Sequence, residues 1–135
     1  MRRSVLALLI VLPATGWAAK GMAQPLDCVS PTTQVEMTGC AARAYEAADA
    51  ELNAVWKKAM AKARDLDHYI GADEIPAVTI LRDAQRAWIP YRDQACEAES
   101  LLARGGTLQS QLFYECLTRL TRTRTEDLAG FATEY

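Results

Sequence analysis

The sequence predicts an all-α protein, a three-helix bundle in which one long N-terminal helix packs on an antiparallel helical hairpin, the whole stapled by two disulfides. Three observations predict it. Apolar residues recur at spacings of three and four along three segments, which places them on one face of each helix. A Gly105-Gly106 pair, a strong helix terminator, separates the last two segments. Four cysteines, Cys28, Cys40, Cys96 and Cys116, all lie beyond an apolar N-terminal stretch that reads as an export signal. In an oxidising compartment an even number of cysteines pairs into disulfides.

The export signal has its usual parts. Met1-Arg2-Arg3 is basic, Ser4 to Leu12 is apolar, and a break follows at Pro13 and Gly16. The apolar run is too short to span a membrane, which takes about 20 residues. Gly21 and Ala23 place small residues at −3 and −1, so cleavage is expected before Gln24, with Ala18 as the second choice. Residues 1–23 are then signal and residues 24–135 a single domain of an exported, periplasmic protein. Cys28 follows Pro25-Leu26-Asp27 rather than the small residues of a lipobox, so no membrane anchor is expected. The formal charge of the whole chain is −2. Losing Arg2, Arg3 and Lys20 leaves 12 basic residues against 17 acidic ones, near −5. That balance argues against nucleic acid or an anionic membrane as partner and favours a basic protein.

Helix 1 is expected to start near Gln34, because Thr33 and Glu36 form a capping box. Its apolar face runs through Met37, Ala41, Ala44, Tyr45, Ala48, Leu52, Val55, Trp56, Ala59 and Ala63. No Gly or Pro interrupts it from Ala41 to Arg64, which predicts about 30 residues and about 45 Å of helix. Asp65 to Gly71 reads as a loop. Helix 2 is expected from around Asp73 to Pro76, where a proline in the first turn costs no hydrogen bond. It should run to Arg104 with a kink at Pro90. Helix 3 follows Thr107 and carries Leu108, Leu112, Phe113, Cys116, Leu117, Leu120 and Leu128. The run Pro76 to Leu81 resembles a strand but passes without a turn into helical spacing.

The hairpin selects a cysteine pairing. In an antiparallel pair closed at Gly105-Gly106, the numbers of facing residues add up to a near-constant of about 212, since both helices rise equally per residue. Cys96 and Cys116 meet that condition, which leaves Cys28 for Cys40. Cys40 lies about 10 Å along helix 1 from the cap, and five extended residues reach back about 17 Å. Four cysteines allow other pairings, and geometry alone favours this one. The same register sets Asp93 opposite Arg119 and Gln85 opposite Asp127.

The densest block is Ala84 to Cys96. On a helix, Leu81, Gln85, Trp88, Arg92 and Cys96 share one face, so Gln85 and Arg92 turn inward with Cys96. Semi-buried polar groups need partners, and Arg92 can lie over the Trp88 ring. Two readings of Gln85, Trp88, Tyr91, Arg92 and Asp93 stand: a network that fastens the hairpin, or a recognition surface centred on Tyr91, Arg92 and Asp93. On helix 1, Tyr45, Asp49 and Asn53 share a face at four-residue spacing and can bond to helix 2 or accept a basic partner.

Thr33-Gln34-Val35-Glu36-Met37 leading to Cys40-Ala41, then Tyr45, Ala48 to Asn53, and the block from Gln85 through Arg92-Asp93 to Cys96 together resemble the LprI-like lysozyme-inhibitor domain. The Gly105-Gly106-Thr107 turn and Cys116 followed by Thr118, Thr121 and Arg122 fit the same pattern, and the resemblance covers Asp27 to about Leu128. It implies an exported, cysteine-bonded helical protein that inhibits lysozyme. The chain departs from the pattern in lacking a lipobox and in carrying Pro90 within the helix 2 block.

Enzyme chemistry lacks support in the sequence. The one histidine, His68, falls in a predicted loop. There is no Gly-rich phosphate loop, nucleophile elbow or His/Cys metal spacing. No catalytic residue, metal or cofactor is therefore expected. Two functions remain: an inhibitor of a basic, lysozyme-like hydrolase, or a non-inhibitory structural module of the cell envelope. The sequence assigns no oligomeric state.

Overall fold

A computed structural model describes residues 26–133. The expected signal at residues 1–23 lies outside the described residues. The chain forms three helices: α1 over Gln34–Asp67, α2 over Ala77–Ser100 and α3 over Gln109–Thr133. A short 3-10 turn, Leu101–Ala103, follows α2. They make an up-down-up bundle. α2 and α3 form the antiparallel hairpin, and α1 runs beside α3 in the same direction, its Gln34 Nε2 donating to Gln111 Oε1 at 2.8 Å. Further along, Leu52 and Ala59 of α1 pack with Leu128 of α3. The broadest close approach in the bundle is between α1 and α3.

The residues at that approach are small. Ala41, Ala48, Ala59 and Ala63 are buried on α1, and Thr118, Thr121 and Thr125 on α3. Short side chains let helix axes come close, while the flanking Trp56, Trp88 and Phe131 fill the space toward α2. The threonine hydroxyls have to be satisfied within the helix. Thr118 donates to the Tyr114 carbonyl at 2.8 Å and Thr125 to the Thr121 carbonyl at 2.9 Å. Thr121 Oγ1 is buried with no partner among the described residues.

The capping box forms as the sequence predicts. The Glu36 amide donates to Thr33 Oγ1 at 3.2 Å, and the Thr33 amide donates to Glu36 Oε2 at 3.0 Å. The Thr32 amide adds a bond at 2.9 Å. Bonds from the Thr32 and then the Thr33 amide hold the Glu36 carboxyl below its ordinary range. Leu26 lies over Gly39, where an added Cβ would come within 2.5 Å of its Cδ1, so a side chain there would make Leu26 shift.

The helix ends differ from the sequence expectation at two points. α1 does not stop before Asp65 but continues through Asp67 to a cap at His68. The reason is tertiary. Pro76 offers α2 no side-chain cap, and Asp67 supplies one, accepting from the amides of Ala77 and, at 3.2 Å, Val78. A carboxylate is unfavourable at the C-terminus of its own helix but favourable at the N-terminus of the next, and here it serves the second. α2 ends at Ser100 rather than Arg104. The buried Ser100 hydroxyl donates to the Glu97 carbonyl at 2.7 Å, and the chain tightens into the 3-10 turn before Gly105. Gly105 takes φ +78°, the left-handed conformation that favours glycine. α2 continues through Pro90, which lies on its exposed side.

Two disulfides join Cys28 to Cys40 and Cys96 to Cys116, the pairing that the register about Gly105-Gly106 selects. Cys96 and Cys116 are fully buried and form a second core cluster with Leu117, against which Tyr45, Phe113, Tyr114 and Leu120 pack.

Candidate functional site

The inward face of α2 develops as its spacing predicts. Leu81, Gln85 and Trp88 are half-buried, and Arg92 and Cys96 are buried. At the centre is Arg92. Its guanidinium lies 5.0 Å from the Trp88 ring centroid and 5.4 Å from that of Tyr45, so it is held between an aromatic of its own helix and one of α1. Arg92 Nε and Nη2 both reach Asp93 Oδ1 at 2.8 Å. Nη1 stands 3.7 Å from Asp49 Oδ1 on α1. A buried cation is tolerable here because two ring faces and two carboxylates replace its hydration.

Asp49 is itself oriented. Asn53 Nδ2 donates to Asp49 Oδ2 at 2.9 Å and to the Asp49 carbonyl at 2.8 Å. Burial pushes the Tyr45 hydroxyl above its ordinary pKa; the neighbouring Arg92 opposes that shift, and Asp49 and Asp93 reinforce it. Tyr45 is therefore a neutral phenol across the physiological range. The Tyr45, Asp49 and Asn53 face of α1 and the Trp88, Arg92 and Asp93 segment of α2 form one polar-aromatic joint between the helices. Through Arg92 the joint links α2 to α1 by a ring contact and an ion pair.

Two register pairings are corrected. Gln85 does not meet Asp127 but accepts from Arg124 Nε at 3.0 Å, one turn earlier on α3. Asp93 does not meet Arg119. It is held by Arg92, and Arg119 Nη2 instead reaches Glu99 at 2.6 Å, nearer the hairpin turn. A register condition locates backbones, whereas long side chains lean along the helix by a turn or more to reach a counter-charge. Tyr91 stands apart from the joint: it is 63% exposed, on the outer side of α2.

Sequence reasoning treated Tyr45 and Asp49 apart from Arg92. The signal available was their four-residue spacing on α1 at the height where an antiparallel α2 would bring Arg92. Among the described residues no cluster of His, Cys, Asp and Glu could hold a metal ion. Likewise, no described helix is long and apolar enough to cross a membrane.

Residues 28–128 match the family described as Lysozyme inhibitor LprI. An uncharacterized protein of Rhizobium meliloti (strain 1021) is 39% identical over 131 residues, covering 95% of this chain and 94% of that relative. No solved structure matches. The fold is a disulfide-stapled helical bundle whose α1–α2 contact centres on an aromatic-arginine joint. The chain belongs to the LprI family, whose description is that of an inhibitor and not of an enzyme.

Proposed function

We propose that this protein is exported to the periplasm and binds a lysozyme-like hydrolase of basic surface charge, inhibiting it. The observation that carries the reading is the family match across residues 28–128, nearly all of the described fold. The geometry supports a division of labour along α2. Arg92 is buried in the joint with α1 and acts as an anchor. Tyr91, one residue away, projects into solvent, and the Asp93 side chain is 49% exposed beside it. Exposed aromatics on a rigid support are the residue type that dominates binding energy at protein interfaces. An acidic surface also speeds encounter with a basic partner, and salt weakens that effect.

The test separates anchor from contact. Tyr91→Ala is expected to melt like wild type and to lose inhibition of a basic lysozyme, because its side chain is mostly exposed. If Tyr91→Ala inhibits as well as wild type, the recognition patch lies elsewhere. If the oxidised wild-type domain itself leaves lysozymes active, the reading gives way to that of an envelope module without inhibitory activity.

A further inference from the structure

In a chain of net charge −2, one groove reverses the sign. It runs between α1 and α2 as two hollows of about 320 and 220 Å3 that share Trp56 and Arg82. The larger is lined by Trp56, Lys57, Met60, Arg64 and Arg82. The smaller continues past Arg86 to the side-chain amides of Asn53 and Gln85. No carboxylate lines either hollow. Among the described residues Lys57, Arg64 and Arg82 enter no ion pair, and only Arg86 is matched, to Asp83 at 3.8 Å. Three cations that enter no ion pair among the described residues therefore share, from two helices, the lining of one groove with a half-buried indole, in a protein whose remaining surface carries the excess of acid.

We infer that this groove binds a carboxylate-bearing polysaccharide, with Trp56 as the stacking floor, Lys57, Arg64 and Arg82 as the anion contacts, and the Asn53 and Gln85 amides near the far end. The flat apolar face of Trp56 suits the C–H face of a sugar ring, and guanidinium groups bind carboxylates in two-pronged fashion. From Asn53 to Arg64 the groove follows about 16 Å of α1, which calls for a chain molecule in place of a single small anion. Aromatic and cationic grooves also hold single-stranded nucleic acid. The Asn53 and Gln85 amides beside the cations are donors and acceptors suited to sugar hydroxyls, and the titration below decides between the two ligand classes. The inference does not depend on lysozyme inhibition, since the groove residues are distinct from Tyr91 and Asp93.

The experiment titrates the oxidised mature protein at low salt with polygalacturonate oligomers, following tryptophan fluorescence and binding heat. Neutral chitooligosaccharide, poly-glutamate and oligo-deoxythymidine are titrated in parallel. Saturable binding of polygalacturonate is expected, with weaker binding of the other three. The exposed pair Arg64→Ala/Arg82→Ala should weaken it about tenfold while leaving the melting temperature unchanged, and Trp56→Phe should weaken it with retained folding. The proposal is overturned if polygalacturonate does not bind, or if the double variant binds like wild type. Equal or tighter binding of poly-glutamate would assign the groove to acidic peptides, and of oligo-deoxythymidine to nucleic acid. Either result would end the proposal.

Discussion

Replacing Arg92 with alanine removes the centre of the joint between α1 and α2, and the structure sets the size of the effect. Breaking a fully buried ion pair by deleting one partner costs about 3–5 kcal/mol. The carboxylates here are only partly buried, the Asp49 and Asp93 side chains being 40% and 49% exposed, so water recovers part of that cost. The lost stacking on Trp88 and Tyr45 adds about 0.5–2 kcal/mol. A net destabilisation of about 2–3 kcal/mol follows. In a domain of this length about 1 kcal/mol corresponds to about 4 °C, so Tm should fall by about 8–12 °C. Thermal unfolding followed by far-ultraviolet circular dichroism reads it directly. Arg92→Lys should fall between the two, keeping charge but losing the planar fork that lies against both rings. An Arg92→Ala variant melting within about 2 °C of wild type would refute the anchoring role.

Other outcomes follow from the same structure. Asp67→Ala strips from α2 the side-chain cap that Asp67 provides and should cost about 1 kcal/mol, read as a lower urea midpoint; an unchanged midpoint would mean that solvent caps Ala77 and Val78 equally well. Thr121→Val keeps the buried shape and removes a hydroxyl with no partner among the described residues, so it should raise stability by about 1 kcal/mol, whereas Thr125→Val, which deletes a bonded hydroxyl, should not; a lowered Tm for Thr121→Val would show that the hydroxyl is satisfied. Converting Cys96 and Cys116 together to serine opens a loop of 20 residues and should cost about 3 kcal/mol, and non-reducing peptide mapping that joined Cys40 to Cys96 would contradict the pairing itself.

Much of the fold was legible in the sequence because it is written in local periods. The Thr33 and Glu36 box sets the start of α1 to the residue, and Gly105-Gly106 sets the hairpin turn. Together with the common helical rise, that turn is sufficient to bring Cys96 opposite Cys116. What could not be read depends on contacts between distant segments. Asp67 extends α1 because α2 lacks a cap, a demand that arises only once the two ends meet. Gln85 and Asp93 take partners a turn or more from their register positions because side-chain reach, not backbone register, decides polar pairing. The candidate site was half legible. The inward turn of Arg92 and its seat on Trp88 follow from spacing, whereas Tyr45 and Asp49 join it only through the packing of α1 on α2. The cationic groove around Trp56 was not visible, since Lys57 and Arg64 lie on one helix, Arg82 lies on another, and the overall charge conceals them.

The most direct test of the account is lysis of a cell-wall suspension by a basic lysozyme, measured with increasing amounts of the purified, oxidised mature domain at low and at high salt. The account predicts saturable inhibition that weakens as salt rises and disappears with Tyr91→Ala but not with a stably folded variant of the Trp56 groove. Full lysozyme activity at low salt, for several lysozyme types and with the domain in molar excess, would contradict it.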